Sequence, residues 1–205
     1  MPASGGAGMA IDAGADDVPA ESVVTTARLA LRRLTPDDAP FIRELLNEPA
    51  WLAHIGDKGV RTDADARRYI AEGPVAMYDR LGFGLWLTAL KGDGAPIGIC
   101  GLIKRESLPD VDLGFALLSR FHGRGYAREA AAAALAYAKN VVRLQRIVAI
   151  AAPANAASIR LLQGLGFRFE RTLRPPPDHD EVMLYAHEFR AAAGAANPTP
   201  SRGSP

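Results

Sequence analysis

Apolar and polar residues alternate along residues 27–34 (ARLALRRL), the period-two pattern of a strand with one buried face. The next stretch changes period. Thr35-Pro36-Asp37-Asp38 offers an N-cap, a proline at the first helical position and two acids in the first turn, so a helix follows. Its apolar face is Phe41, Ile42, Leu45 and Leu46, and Pro49 is expected to lie beyond its end. Thr62-Asp63-Ala64-Asp65 repeats the capping pattern and opens a second helix carrying Tyr69 and Ile70. Residues 82–103 read as two strands joined over Lys91-Gly92-Asp93-Gly94, and residues 111–119 (VDLGFALLS) as a third. A glycine-rich turn and a long alanine-rich helix come next. Residues 146–152 predict a short buried strand, 155–164 a helix closed by Gly164 or Gly166, and FRFERTLR and EVMLYAHEF two closing strands. The order predicts an α/β (α+β) domain on one mixed sheet, without internal repeats.

Composition adds limits rather than direction. The 205 residues suffice for one domain with a full core, and 48% hydrophobic, 23% charged and a net charge of +1 are ordinary for a globular chain. No charge bias points to nucleic acid or to an anionic membrane as a partner. The longest uncharged run, 147–159, is interrupted by Pro153 and Asn155 and is too short to cross a bilayer. Residues 1–24 lack the features of a secretory signal and are expected to be a disordered leader; residues 191–205 are expected to be a disordered tail. The domain should therefore occupy 25–190, with the cytoplasm as its expected location. The single cysteine, Cys100, lies in an apolar stretch and reads as a buried strand residue.

Candidate chemistry concentrates in HGRGYAREAAAAALAYA, residues 122–138. A helix start presents unpaired amides and the positive end of the helix dipole, which suits a phosphate. Gly123 and Gly125 allow the backbone to approach a ligand, and Arg120, Arg124 and Arg128 add cations. A dinucleotide fold is one reading, since Gly123-Arg124-Gly125-Tyr126-Ala127-Arg128 begins like GxGxxG. However, Arg128 occupies the third small position, and no Asp or Glu occurs from Ala130 to Phe169 to grip a ribose. A Walker-type loop fails too, because no Gly-Lys-Ser/Thr follows.

Coenzyme A is the other reading, and here the chain resembles the GNAT N-acetyltransferase superfamily. That family carries Gln/Arg-x-x-Gly-x-Gly/Ala at a strand-to-helix junction; His122-Gly123-Arg124-Gly125-Tyr126-Ala127 fits except for His122, and a register beginning at Arg120 also matches. Asn155-Ala156-Ala157-Ser158-Ile159-Arg160, followed by Leu165-Gly166-Phe167, is similar to the N-x-x-S-x-R…GF block of the branch that acetylates ribosomal-protein N-termini (Rim-type) and related amines. The resemblance covers most of 27–189. It implies a single GNAT-like domain with a mixed, mostly antiparallel, twisted sheet flanked by helices. It implies acetyl-CoA as co-substrate, no metal, and direct transfer to a primary amine, either a peptide N-terminus or a small molecule. The pantetheine arm would run along Phe115, Ala116 and Leu117, the pyrophosphate would rest on His122, Gly123, Arg124, Gly125, Tyr126, Ala127 and Arg128, and Asn155 would bond the amide arm or simply cap its helix.

The acid and base are harder to assign. Leu162 stands where many relatives keep a thiolate-protonating tyrosine, and Ile150 where some keep a glutamate base. Ser158 is the candidate acid. Asp112 is the candidate base, with a solvated strand-end carboxylate as its plainer reading. Trp51 and His54 fall in the segment that walls the acceptor site in relatives, and Asp178, Asp180 and Glu181 flank a loop beside it. With the usual Tyr and Glu missing, a CoA-binding regulatory domain of the same fold is the alternative to an enzyme.

Overall fold

The computed structural model describes residues 22–174 and 181–189. Eight strands form one sheet in the order β1-β2-β3-β4-β5-β6-β8-β7. They are β1 (Ser22–Thr25), β2 (Leu29–Arg32), β3 (Leu85–Leu90), β4 (Pro96–Ile103), β5 (Asp112–Leu117), β6 (Arg146–Ala151), β7 (Arg168–Leu173) and β8 (Val182–Glu188). Every pairing is antiparallel except β5 with β6. That exception follows from connectivity, because parallel neighbours need a long crossover and the alanine-rich helix supplies it. The helices are α1 (Ala39–Leu46), α2 (Pro49–His54), α3 (Asp63–Ile70), α4 (Ala76–Leu81), α5 (Tyr126–Asn140) and α6 (Ala156–Gly164).

Three elements depart from expectation. Residues 22–24, expected in the leader, belong to strand β1, which pairs with β2. Pro49 begins α2 instead of standing outside a helix: its missing N–H costs nothing at a first helical position, where that donor has no intrahelical partner. α3, expected to carry Tyr69 and Ile70, runs on through a wider turn at 71–75, containing Pro74, into α4, a helix not expected from sequence. A proline removes one helical hydrogen bond and crowds the preceding turn, which a local widening accommodates. Gly82 (φ +77°) then ends α4 in a conformation glycine adopts without strain. At Thr35 the chain makes a single 3₁₀ turn over Pro36–Asp38 before α1 begins at Ala39, whereas at Thr62 the expected cap forms. Thr62 accepts from the Asp65 amide, and Asp65 returns the bond to the Thr62 amide.

The two faces of the sheet are covered differently. On one face Leu31, Trp86, Cys100, Leu102, Leu113 and Ile147 pack against α5, whose buried side is Ala130, Ala131, Ala134, Leu135 and Ala138. Small side chains let this helix lie close to the strands. On the other face Leu87, Ala89 and Ile99 pack under α1, α2 and α3 through Ile42, Leu45, Trp51 and Ile70. A separate apolar group on that second face joins Leu108, from the β4–β5 loop, to Val148 and Leu184.

Candidate active site

β5 is paired with β4 along its whole length, from Asp112 with Ile103 to Leu117 with Gly98. With β6 it is paired at one position only, Asp112 opposite Val148, where the Val148 amide donates to the Val111 carbonyl. Beyond that point the two strands part. The Val111 carbonyl faces β6 and the Leu118 amide faces β4, donating to Ile97. Alternation along the strand therefore turns the amides of Phe115 and Leu117, beyond the paired position, into the gap. Of the three residues expected along the cofactor arm, Phe115 and Leu117 turn their amides toward the gap. Ala116 does not, because its backbone is turned toward Ile99 of β4.

The glycine turn closes the far end of β5. Gly123 (φ +74°) and Gly125 (φ +79°) both occupy the left-handed region, where other residues pay roughly 1–2 kcal/mol. α5 begins at Tyr126. Among the described residues no backbone acceptor takes the amides of Gly123 through Arg128; the first to be taken is Glu129, by the Gly125 carbonyl. Six consecutive free donors at a helix start form a ready cradle for an oxyanion. His122 does not point there. Its Nε2 lies 2.9 Å from the Leu117 carbonyl and ties the turn back to β5.

Residues that sequence reasoning missed hold this turn in place. Glu129 accepts from the Thr26 hydroxyl at 2.6 Å and from the Arg28 amide and Nε at 2.9 and 2.7 Å. Arg28 also donates to the Arg124 carbonyl at 3.0 Å and stacks over Tyr126 at 4.5 Å. The partners are about a hundred residues apart, so no local pattern announces them. The three flanking arginines also divide. Arg120 is spent on Glu44 of α1, at 2.5 Å, and Arg128 reaches the Gly164 carbonyl of α6. Arg124 has no carboxylate partner among the described residues.

α6 begins just after β6, on the opposite bank of the gap. Asn155 is its N-cap, accepting from the Ser158 amide at 3.0 Å, which leaves the Asn155 NH2 without a partner among the described residues. Ser158 is half-buried one helical turn before Leu162, which is buried in the core, and its hydroxyl has no protein partner among the described residues.

Asp112 corrects the expectation of a solvated carboxylate. It is fully buried at the vertex of the gap, on the face of α1 and α3. Its Oδ2 accepts from Arg105 Nε at 2.5 Å, while the enclosed Oδ1 makes no hydrogen bond. Burial raises its pKa above the ordinary carboxylate value, against the opposing pull of Arg105 and, more weakly, of the Ile150 amide. Trp51 is also buried and spends its indole N–H on the Gly56 carbonyl; His54 keeps an enclosed Nδ1 without a partner. Cys100 is buried with its thiol pushed up to about 12, which leaves it inert as expected. Asp178 and Asp180 lie outside the described residues.

A shallow groove of about 510 Å³ beside α1 is lined by Arg43, Glu44, Glu48 and Arg61, but these groups are already paired with Asp63, Arg120, Ser119 and Asp57. It offers a ligand little. Among the described residues no cluster of His, Cys, Asp and Glu is placed to hold a metal ion, and no helix is long and apolar enough to cross a membrane.

A sheet that opens between two parallel strands, with a helix start at the opening, suits an extended ligand that ends in a phosphate, and comparison with known proteins gives the family. The model of an acetyltransferase (GNAT) domain matches residues 28–168. The chain belongs to the GNAT family and is a GNAT-type N-acetyltransferase. An uncharacterized Bacillus subtilis protein, YkkB, is 28% identical over 160 residues, covering 76% of this chain and 90% of its own. The acetyltransferase of Agrobacterium tumefaciens C58 is 26% identical with a TM-score of 0.69, over 81% of this chain and 94% of that one. RimL, a ribosomal-protein α-N-acetyltransferase solved in complex with coenzyme A, shares the fold at 18% identity and a TM-score of 0.68, over 82% and 98% of the two chains.

Proposed function

We propose that the protein transfers an acetyl group from acetyl-CoA directly to a primary amine, a peptide N-terminus or a small molecule. The observation that carries this reading is the opening of β5 from β6 directly before a turn of six free amides. The gap accepts an extended amide-bearing arm as a sheet edge accepts a strand. The turn, with Arg124, accepts a diphosphate at its end.

The residues then have distinct tasks. The Phe115 and Leu117 amides bond the pantetheine arm, and one of them faces the oxygen that gains charge when the thioester is attacked. Such a donor is worth about 3–4 kcal/mol in the transition state. Asp112, at the vertex, takes the proton the amine loses as its nitrogen bonds the acetyl carbon. Its unpartnered Oδ1 is the acceptor for that N–H. As the carbon–sulfur bond breaks, Ser158 donates a proton to the thiolate and regains one from solvent. Asn155 uses its free NH2 on the arm. Cys100 is too deeply buried to act as a nucleophile, which favours transfer without an acyl-enzyme.

An α-amine has a pKa of about 7.7–8.0 against about 10.4 for lysine, so far more of it is uncharged at neutral pH. A carboxylate base, even one with a raised pKa, favours the less basic amine. Thiol release from acetyl-CoA over pooled amines tests the reading, with paired peptides carrying either a free N-terminus or a free lysine. Turnover of the first over the second is expected. Absence of turnover with every amine, alongside intact CoA binding, would support the binding-domain alternative instead.

A further inference from the structure

A cradle of amides works only if its peptides face the right way, and one of them is fixed from outside the turn. Arg28, between β1 and β2, has all three guanidinium nitrogens engaged there. Nε and Nη2 hold Glu129 Oε2 at 2.7 and 2.6 Å, and Nη1 holds the Arg124 carbonyl at 3.0 Å. The plane of the group lies over the Tyr126 ring, 4.5 Å from its centroid. A Cβ added at Gly125 would lie 3.4 Å from Nη2, so the guanidinium packs directly against the turn. The second oxygen of Glu129 accepts from the Thr26 hydroxyl at 2.6 Å and the Arg28 amide at 2.9 Å. Burial raises the Glu129 pKa, but these bonds outweigh it and bring it below the ordinary value, so the group is a carboxylate at neutral pH.

A trans peptide points its C=O and N–H in opposite directions. Because Arg28 holds the Arg124 carbonyl, the Gly125 amide is turned away from Arg28, to where no backbone acceptor meets it among the described residues. Nothing in the turn itself enforces this, since glycine adopts either sign of φ with similar ease and lets the peptide flip. We propose that Arg28 and Glu129 are positioning residues for the diphosphate, locking the Arg124–Gly125 peptide so that the Gly125 amide faces the ligand before it arrives. The inference rests on the acetyl-CoA reading for the ligand and adds the residues outside the turn that set its affinity. An opening ordered in advance binds more tightly, because the ordering is not subtracted from the contacts.

Orientation and charge give opposite signs for one substitution. Glu129 is an anion in the first turn of α5, beside the cradle, so by charge alone Glu129→Gln should tighten CoA binding. Loss of the lock should weaken it. CoA is titrated calorimetrically into the full chain and each variant, with circular dichroism and the melting temperature followed in parallel. If the competent orientation falls to about a tenth of the population, Glu129→Gln and Arg28→Gln each weaken CoA about tenfold. The double variant should be little worse than either single one, because both remove the same lock. Arg28→Lys keeps the charge at an exposed position but loses the fork that holds carboxylate and carbonyl together, and should fall with the others. With any amine that is turned over, KM for acetyl-CoA should rise by the same factor while kcat stays within about threefold. Tighter CoA binding by Glu129→Gln would overturn the lock and leave charge alone. A lower melting temperature with unchanged CoA affinity would overturn it too, since the network would then serve only the fold. If the variants lose CoA affinity as expected and no amine is acetylated by the wild type, the lock stands and the acetyl-transfer reading fails.

Discussion

The two sides of the gap between β5 and β6 are built by different means. On the α5 face the working groups are backbone amides, arranged by two left-handed glycines and a helix start within a few consecutive residues. On the α1–α3 face they are side chains, Asp112 and its partner Arg105, delivered by separate segments, with burial raising the Asp112 pKa. A backbone cradle depends on conformation and survives most changes of side chain. A side-chain site depends on each group individually. The first kind specifies a ligand that does not vary, the second a ligand that does.

The comparison breaks most sharply at Gly125. Gly125→Asp places a carboxylate at the cradle, and CoA affinity should fall at least about a hundredfold, since a like charge replaces a donor-rich opening. Gly125→Asn is the control. Asn tolerates the same positive φ, so it carries the strain without the charge and should lose much less. Equal losses in the two variants, by calorimetry on protein with normal circular dichroism, would mean that shape and not electrostatics governs this side.

Asp112→Asn should do the reverse, lowering kcat/KM by about a hundred- to ten-thousandfold with little change in CoA affinity. Removing one partner of a buried ion pair can cost about 3–5 kcal/mol of stability, so the melting temperature must be followed in parallel. The pH profile separates catalysis from damage. Because burial raises the Asp112 pKa, the wild-type acid limb should lie above the ordinary carboxylate value of about 4, with activity present above it and lost as pH falls through it. Linkage gives the opposite sign for stability: the folded state holds this proton more tightly, so this group's contribution declines as pH rises from the unfolded value to the folded one. An unshifted acid limb in the variant would remove Asp112 as base.

How much of each side was legible follows from the same difference. The cradle could be read because glycine spacing, the helix start and the strand before it are neighbours in sequence. The parting of β5 from β6 could not, because it is a matter of register between strands separated by a whole helix. Asp112 was singled out, but its burial and its Arg105 partner depend on how the β4–β5 loop folds back, and a strand-end Asp otherwise reads as solvated. Arg28 and Glu129 were missed for the same reason; α2 was missed because Pro49 was read as lying beyond a helix where it starts one, and the turn at Pro74 because a proline inside a helix is accommodated there by local widening. Ser158 stands between the two cases. Its position could be read from the Asn155 cap, but its role rests on a free hydroxyl. Ser158→Ala should lower kcat by up to about a hundredfold while CoA affinity holds, and unchanged turnover would assign the thiolate's proton to water.

The smallest expected effect sharpens the comparison within the cradle itself. Sequence places Arg120, Arg124 and Arg128 equally around the glycines, yet the structure spends Arg120 on Glu44 and leaves Arg124 without a carboxylate among the described residues. If the amides do most of the holding, a single arginine adds one charge-assisted contact, about 1.5–3 kcal/mol, and Arg124→Ala should weaken CoA binding by roughly ten- to a hundredfold. Arg120→Ala should change it by no more than about twofold, since an exposed ion pair on α1 contributes little beyond its own partner. The discriminating measurement is the salt dependence of CoA affinity in the two variants. A ligand phosphate engaged by Arg124 makes binding weaken as ionic strength rises, and that slope should flatten in Arg124→Ala and persist in Arg120→Ala. If both variants flatten it equally, Arg120 leaves Glu44 when the ligand arrives, and the cation count read from sequence was the better guide.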